Sequence, residues 1–410
     1  MRSAVKQAWG DVKTFWAKIT KESIREVLDS IPRTPANYLT FAILAIGSVL
    51  TLFRFFIGLD FVTNLDDNTP WGIWNPFKIA GVALSAGGYT ASAAYYIFGL
   101  KRYKPVVRPA LACAFLGYLI AMVGTLHYDV GQPWRLVFPI FLSQGTTSIL
   151  FEVGICVFLY LSVLFVEWTP AAFERFGWKK FRDIVHHAVI PLTIMGIVLS
   201  TMHQSSLGAL ILTSPGKLHP LWYSGFIPVF FFISSIFAGL SMVIVENALS
   251  RKYQAYAADD AYLDCLDDVA LGFGKAAAFV MIGYFCIRIF DLAMTDAWQY
   301  LGTSYGMLYL IEVVGLVLAP AFLYAAGVRE KNVKLVRIAA FLSVAGIVLN
   351  RFNVYLFGLN WQLPPEDAYF PSIMEIGILI FIFTLIITSY RVMCALFPIL
   401  RAEPGYGDGH

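Results

Sequence analysis

The sequence predicts an all-α integral membrane protein with about ten transmembrane helices. The chain has 410 residues, of which 58% are hydrophobic and 14% charged, and its mean hydropathy is +0.68. Apolar stretches of about 18–24 residues, the length that crosses a bilayer, recur along the whole chain. Basic residues gather in alternate loops. Soluble globular classes are excluded, because none combines this apolar content with so little charge.

The apolar stretches define the predicted spans and the three parts of the chain. The ten spans lie near residues 38–58, 77–99, 109–127, 147–167, 189–211, 225–247, 269–291, 305–326, 335–357 and 371–394. We therefore predict an N-terminal segment over 1–37, a transmembrane domain over 38–398 and a C-terminal tail over 399–410.

The loop charges predict the orientation. The N-terminal segment and every second loop after it are rich in Lys and Arg, whereas the other loops hold only Arg135 and Lys217. Because cytoplasmic loops retain the positive charge, both termini are predicted to be cytoplasmic. The N-terminal segment also has apolar residues at helical spacing, namely Trp9, Val12, Trp16, Ile19, Val27 and Ile31. It predicts either an interfacial amphipathic helix on the cytoplasmic leaflet or a contact with a neighbouring subunit.

A weak internal repeat predicts how the spans group. Leu150–Val153 in span 4 resembles Leu310–Val313 in span 8. His203 in span 5 and Arg351 in span 9 lie at similar depths. Because these pairs are four spans apart, spans 2–5 and 6–9 are predicted to form two four-helix bundles in the same orientation, with flanking spans.

Polar side chains interrupt the apolar spans, above all in Thr201–Ser206 within the segment 189–212. Burying such groups in hydrocarbon is costly, so they usually face a bundle interior and mark a ligand or proton site. Most intramembrane ionisable residues fall in the predicted outer half, namely Arg54, Lys78, His127, Glu152, His203, Arg288, Asp291, Glu312, Arg351 and Glu375. This clustering predicts charge or proton chemistry near the outer face. The alternative is plain ion pairs, such as Arg54 with a carboxylate or Arg351 with Glu375.

Three polar residues are candidates for specific roles. Glu152 lies in an apolar run, where a desolvated carboxyl could exchange a proton near neutral pH or bond a neighbouring helix. Asp129, at the outer end of span 3, could hydrogen-bond a histidine and fix its tautomer, or simply meet solvent. Tyr118 could donate a hydrogen bond to a ligand or relay, or anchor helix packing.

Several longer motifs give the chain a family resemblance. They are Pro70–Trp74, Val107–Leu111, Gly117-Tyr118, Asp129–Gly131, Leu150–Glu152, Thr201–Ser206, His219–Trp222 and Tyr369–Pro371. With these motifs the chain resembles the NrfD/PsrC family of quinone-interacting membrane subunits. It is most similar to the HybB type of hydrogenase membrane subunit and to the membrane subunit of the Qrc menaquinone reductase.

The resemblance implies a ten-span subunit that binds menaquinone or another quinone near the outer face. It implies no haem or iron–sulfur cluster in this chain, and a docked periplasmic ferredoxin-like iron–sulfur subunit. Further periplasmic partners would be a hydrogenase, a multihaem cytochrome c or a molybdopterin-type protein. The implied catalytic residues are His203, Glu152, Asp129 and Tyr118. The implied quinone-binding residues are His203, Gln204, Ser205, Asp129, His127, Trp71 and Trp74. The direction of the quinone chemistry stays open.

The residues themselves are consistent with a quinone-binding subunit that has no redox cofactor of its own, and they leave two alternative functions. The five cysteines form no CxxC or CxxCH motif, which predicts no metal, disulfide or covalent haem. Electrons would then come from a partner. One alternative is a di-haem b cytochrome, although His127 and His203 are the only span histidines and would allow at most one bis-His haem. The other alternative is a secondary transporter, which the parallel repeat and the off-centre polar cluster favour less.

Overall fold

The computed structural model describes residues 34–401, which fold into a bundle of long helices. Residues 1–33 of the predicted N-terminal segment, which hold its amphipathic pattern, and residues 402–410 of the predicted tail lie outside this part of the chain. Within residues 34–401, extended pairing is limited to an isolated antiparallel bridge between Leu218 and Leu359. The predicted all-α membrane fold is confirmed.

Each predicted span corresponds to a helix, and we number these helices in chain order. They are α1 (Pro35–Phe56), α2 (74–97), α3 (Lys101–Asp129), α4 (Ile149–Phe176), α5 (Val189–Leu212), α6 (Ile227–Tyr253), α7 (Asp260–Met294), α8 (Ser304–Arg329), α9 (Val333–Phe357) and α10 (Ile373–Leu396). In the described residues, nine of them are each long and apolar enough to cross a membrane. The other one, α2, is divided into Trp74–Ser85, Gly87–Ser92 and Ala93–Ile97.

Local capping explains where several helices begin and end. Thr34 caps α1 and Asp259 caps α7, each accepting a hydrogen bond from a backbone amide of the first turn. Ser372 and Glu375 form a capping box that starts α10. Gly177 ends α4 in the left-handed conformation, with φ of 76°, which a glycine adopts without a steric penalty.

The helices form the two predicted four-helix bundles. In the first bundle, α2 and α4 each pack between α3 and α5. In the second bundle, α6 and α8 each pack between α7 and α9. The flanking helices α1 and α10 pack against each other, and α10 also packs against α3.

The two bundles meet where α2 is interrupted. Helix α6 packs against both α2 and α5, and α2 also contacts α9. At this crossing the backbones of Gly87 on α2 and Gly239 on α6 touch, because a Cβ on Gly239 would lie 2.7 Å from the Gly87 nitrogen. Small residues permit such an approach where apolar packing alone must hold helices together.

The two ends of the molecule differ in charge. We call the end that holds the basic loops the basic end, and the other the opposite end. At the basic end, Glu174 pairs with Arg108 at 2.8 Å and with Arg182 at 3.2 Å. Asp267 pairs with Arg251 at 2.7 Å and with Arg337 at 2.6 Å. A short helix, Lys179–His187, connects α4 to α5 at this end.

Candidate functional site

An ion pair at the opposite end joins two helices of the first bundle. Asp129, the last residue of α3, pairs with Lys78 near the start of α2, and each side chain is only 8% exposed. Arg54 on α1 donates from Nε to the Tyr128 carbonyl at 2.8 Å and from Nη2 to the Val130 carbonyl at 2.6 Å. A carboxylate at a helix C-terminus is unfavourable, so the two cations offset the charge of Asp129. We call these five residues the end cluster.

The partners of Asp129 and Arg54 differ from the predicted ones. Asp129 meets a lysine instead of a histidine or solvent. His127 brings Nδ1 to within 2.6 Å of the Val123 carbonyl of its own helix. His127 and Asp129 are two positions apart, so they leave α3 on different faces. Arg54 binds carbonyls instead of a carboxylate, because the last carbonyls of α3 have no partner within the helix.

One of the two predicted tryptophans, Trp74, contacts the end cluster. Trp74 is buried, donates from Nε1 to the Glu375 carbonyl at 3.0 Å and has its ring 5.8 Å from that of Tyr128. Trp71 is half-buried in the loop before α2. The Glu375 carboxylate in turn accepts the Tyr369 hydroxyl. These contacts join the start of α2 to the start of α10.

A second polar cluster lies deeper in the first bundle. The Tyr118 hydroxyl is 3.3 Å from Nε2 of His203, and the ring of Tyr160 is 4.7 Å from that of Tyr118. The Tyr160 hydroxyl donates to the Ser85 carbonyl at 3.4 Å. The three side chains are fully buried, as is Gln204. We call Tyr118, Tyr160, His203 and Gln204 the bundle cluster.

Two polar atoms of the bundle cluster lack partners. Within residues 34–401, neither Nδ1 of His203 nor Oε1 of Gln204 has a hydrogen-bond partner, although both are buried. Native structures seldom leave buried polar atoms unpaired, so such atoms point to a ligand, an ordered water or a proton-transfer role. The bundle cluster therefore offers unused hydrogen-bonding capacity inside an apolar bundle.

Two of the three hydroxyl groups of the Thr201–Ser206 stretch, those of Thr201 and Ser206, are satisfied within α5 itself. Thr201 donates to the Ile197 carbonyl at 2.9 Å, and Ser206 donates to the Met202 carbonyl at the same distance. Ser205 is half-buried. Such bonds to the preceding turn free a hydroxyl from any need for a ligand. Of the stretch that stood out in the sequence, His203, Gln204 and the half-buried Ser205 are the residues left for chemistry.

The two clusters are separate but are connected by the same helices. Tyr118 and Asp129 both belong to α3, and a rise of about 1.5 Å per residue puts them roughly 16 Å apart along its axis. Lys78 and Ser85 on α2 are about 10 Å apart by the same rise. A π-helical segment, Tyr118–Gly124, occupies the intervening part of α3. Such segments are frequent at functional sites.

Glu152 lies away from both clusters. It occupies the first turn of α4 and is exposed on the surface of the bundle. The sequence predicted a desolvated carboxyl, because Glu152 lies in an apolar run. In the structure, a large part of that apolar surface faces outward instead.

A buried carboxylate that is not among the predicted site residues, Glu167, lies on α4. Glu167 accepts a hydrogen bond from the Thr193 hydroxyl of α5 at 3.0 Å. It is buried, and its second carboxylate oxygen has no partner within residues 34–401. The residue spacing could have indicated Glu167 as a site residue. Tyr160 and Glu167 are seven positions apart, so they share one face of the helix.

The second bundle has a polar centre of its own. The buried Glu312 carboxylate accepts hydrogen bonds from Trp222 Nε1 at 2.8 Å, Asn350 Nδ2 at 2.7 Å and Asn353 Nδ2 at 2.6 Å. Its counterpart in the sequence repeat, Glu152, is exposed. The two glutamates of the repeated motif therefore lie in different environments, one buried and one exposed.

The predicted pair between Arg351 and Glu375 is wrong. Arg351 donates from Nη2 to the Ser234 hydroxyl at 2.9 Å, and its guanidinium lies 3.8 Å from the ring centre of Phe231. Glu375 belongs to the capping box of α10. The two residues do not meet, because Arg351 points into the second bundle whereas α10, which carries Glu375, packs beside α1.

Comparison with known proteins assigns this architecture to a family. Residues 61–361 match the family model described as polysulphide reductase, NrfD. The chain belongs to the NrfD family. Members of this family are membrane subunits of respiratory oxidoreductase complexes. The predicted resemblance is confirmed, and the NrfD chain is a multi-pass membrane protein.

Three relatives show how far the similarity extends. A Nitratidesulfovibrio vulgaris protein without a descriptive name is 56% identical over 378 residues, covering 92% of this chain and 97% of the relative. An Escherichia coli protein described as a probable Ni/Fe-hydrogenase 2 b-type cytochrome subunit is 29% identical and covers 87% of this chain and 90% of its own length. The integral membrane subunit of a menaquinone reductase from Nitratidesulfovibrio vulgaris is 29% identical, with coverage of 77% and 80%.

Proposed function

We propose that this NrfD chain is the quinone-binding membrane subunit of a respiratory oxidoreductase complex. It exchanges electrons between a periplasmic iron–sulfur subunit and menaquinone or a similar quinone. The observation that carries this proposal is the buried ion pair of Lys78 and Asp129 at the opposite end. The loop charges support a periplasmic location for that end.

The end cluster has the groups that quinone chemistry requires. Converting a quinone to a quinol takes two electrons and two protons, and its carbonyl oxygens need hydrogen-bond donors. The Lys78 ammonium can donate and the Asp129 carboxylate can exchange a proton. His127 and Trp71 are half-buried at the same end of the molecule, which is consistent with ligand access. An apolar site with a few convergent polar groups is typical of small-molecule binding.

The bundle cluster is assigned to proton exchange in this proposal. Tyr118 and His203 already share a hydrogen bond, and Nδ1 of His203 and Oε1 of Gln204 are available for another. Ser205 follows Gln204 on the same helix and is half-buried. Glu152 stays in the proposal as a proton-exchanging carboxylate on the surface of the bundle, where a docked subunit could cover it.

The loops at the opposite end support the docking of a partner. The surface between α3 and α4 exposes large apolar side chains, namely Trp134, Val137, Phe141 and Leu142. Large exposed apolar surfaces commonly mark interfaces. The names of two relatives, a hydrogenase subunit and a menaquinone reductase subunit, place those proteins in redox complexes. We infer an iron–sulfur partner and, beyond it, a hydrogenase, a multihaem cytochrome c or a molybdopterin-type protein.

A haem is a second candidate, because the Escherichia coli relative is described as a b-type cytochrome subunit. The span histidines of this chain do not fit a shared haem. Nε2 of His203 is occupied by the Tyr118 hydroxyl, and His127 is tied through Nδ1 to its own helix. We therefore favour a chain without haem. A stoichiometric Soret band from the purified chain would favour the cytochrome instead.

The test is quinone activity in the intact complex after Asp129→Asn or His203→Gln. Each change should lower quinone-coupled electron transfer at least ~100-fold, the lower end of the usual contribution of a proton-transfer group. Assembly should persist in the membrane fraction. Asp367→Asn serves as the matched control, because Asp367 is exposed in a loop at the same end. Full quinone activity in both variants would refute the site.

A further inference from the structure

Buried polar side chains follow α6 through the second bundle, and the quinone proposal uses none of them. Ser234 and Ser241 are seven positions apart, so they share one face of α6 and lie about 10 Å apart along its axis. The Ser241 hydroxyl is 2.8 Å from the hydroxyl of Tyr324 on α8. We call six buried side chains of this bundle the polar column, namely Glu312, Arg351, Ser234, Ser241, Tyr324 and Glu246.

A buried acid lies at each end of the polar column. Near the basic end, Oε1 of Glu246 accepts hydrogen bonds from Ser250 at 2.8 Å and from Tyr390 at 2.5 Å. Its Oε2 has no hydrogen-bond partner within residues 34–401. Towards the opposite end, Glu312 accepts a hydrogen bond from Trp222, which belongs to the loop before α6. Buried acids and hydroxyl groups are typical of proton relays, so these side chains outline a path across the membrane.

Arg351 interrupts the polar column between its two acids. The guanidinium donates from Nη2 to the Ser234 hydroxyl at 2.9 Å and from Nη1 to the Asn350 side-chain carbonyl. Asn350 in turn donates to Glu312 at 2.7 Å, so an amide separates Arg351 from the nearer acid. The face of Phe231 covers the guanidinium. In the part of the chain that the structure describes, these partners are neutral, and the charge of an arginine is permanent in proteins.

The internal repeat shows what is special about this position. His203 on α5 and Arg351 on α9 lie at similar depths in their bundles. An imidazole can take up and release a proton, whereas a guanidinium cannot.

We propose that Arg351 is an electrostatic barrier that prevents protons from crossing the second bundle along the polar column. A fixed positive charge repels an approaching proton, which is how an arginine excludes protons from some membrane pores. The acids and hydroxyls on either side then stabilise the bundle without short-circuiting the membrane. This role is independent of the quinone site in the first bundle.

The experiment measures passive proton flux in the absence of quinone and electron donor. The full chain with its associated subunits is reconstituted in liposomes that contain a pH-sensitive dye, and a potassium gradient with valinomycin drives protons inward. Arg351→Gln should raise the proton flux at least ~10-fold over the wild type, because a unit charge a few Å away contributes more than the ~1.4 kcal/mol that this factor requires. Ser234→Ala is the matched control, since it removes a hydrogen bond of Arg351 and keeps the charge.

Two further variants separate a specific path from a folding defect. Adding Glu246→Gln to Arg351→Gln should lower the flux again, because the column then lacks its acid near the basic end. Arg351→His should also leak, and it replaces the glutamine variant if that one does not assemble. Wild-type flux in the assembled Arg351 variant would overturn the barrier. So would a leak that also admits sodium, that equals the flux of Ser234→Ala, or that Glu246→Gln leaves unchanged.

Discussion

At the scale of single residues, the buried charges of this protein are compensated in different ways. Glu312 is surrounded by three neutral donors, whereas Arg351 rests on an aromatic ring. Lys78 and Asp129 compensate each other. A buried charge without such partners would cost several kcal/mol. His203 differs, because its Nδ1 has no hydrogen-bond partner within residues 34–401. It is therefore a better candidate for proton transfer than the residues whose polar atoms are all bonded.

His219 supplies a prediction about pH at this scale. It lies in the loop between α5 and α6, is 1% exposed, and accepts a hydrogen bond at Nδ1 from the Leu221 amide at 3.2 Å. Burial lowers the pKa of His219 to about 4. An unfolded histidine has a pKa of about 6.5 and so binds more protons than the folded one between these values. Stability should therefore fall as the pH drops from about 6.5 towards 4.

The measurement is the Tm of the wild type and of His219→Gln at pH 7 and pH 5. The wild type should lose more Tm than the variant over this range, because glutamine does not titrate. Contributions from His186 and His187 cancel in the comparison, since both proteins contain them. Identical pH dependences in the two proteins would contradict a buried neutral His219.

At the scale of helices, the interruption of α2 allows the two bundles to meet. Helix α2 is broken at Ala86, and the glycines on either side of the crossing bring α2 and α6 into backbone contact. In a membrane, helices gain little by exchanging lipid contacts for protein contacts, so close backbone approach contributes much of the packing. The bundle interface therefore depends on residue size more than on hydrophobicity.

Gly239→Val should weaken this interface. The new Cβ would meet the backbone of α2 at 2.7 Å, so the helices must separate. We expect a loss of at least ~2 kcal/mol in the free energy of unfolding, in the range of overpacked cores. The loss would be measured by thermal or denaturant unfolding in detergent. Gly154→Val is the control, since no atom lies within 4 Å of a Cβ there. Equal effects of the two substitutions would argue against the crossing.

At the scale of the whole molecule, the asymmetry of charge predicts a direction in the membrane. The basic end carries the loops rich in Lys and Arg, and an even number of spans would put both termini on that side. We propose that the segment 1–37 and the tail 399–410 lie with that end in the cytoplasm. Electron exchange at the opposite end then takes place on the periplasmic side.

Reporter fusions test this orientation. Alkaline phosphatase fused after His410 should be inactive, because the enzyme is active only in the periplasm, whereas an insertion after Asp367, which is exposed, should be active. Green fluorescent protein fused after His410 should fluoresce. The reverse pattern would invert the proposed topology and, with it, the side from which the partner docks.

The sequence by itself determined the helices, their order and the predicted orientation. Spans must be about 20 apolar residues long because the bilayer sets that length. Charged loops cross the membrane poorly, so their distribution predicts the topology. The Thr201–Ser206 stretch was recognisable for the same reason, because polar groups are conspicuous in an apolar span. The family resemblance followed from motifs that stand at or near these polar interruptions.

Only the tertiary structure decided which polar groups meet. Lys78 meets Asp129, Glu312 meets Trp222, and Glu152 faces outward. In a soluble helix, alternation of apolar and polar residues reveals the buried face. In a membrane the lipid is as apolar as the core, so the inward and outward faces have similar compositions. The partners of buried charges therefore depend on how the two bundles pack, which the apolar pattern does not encode.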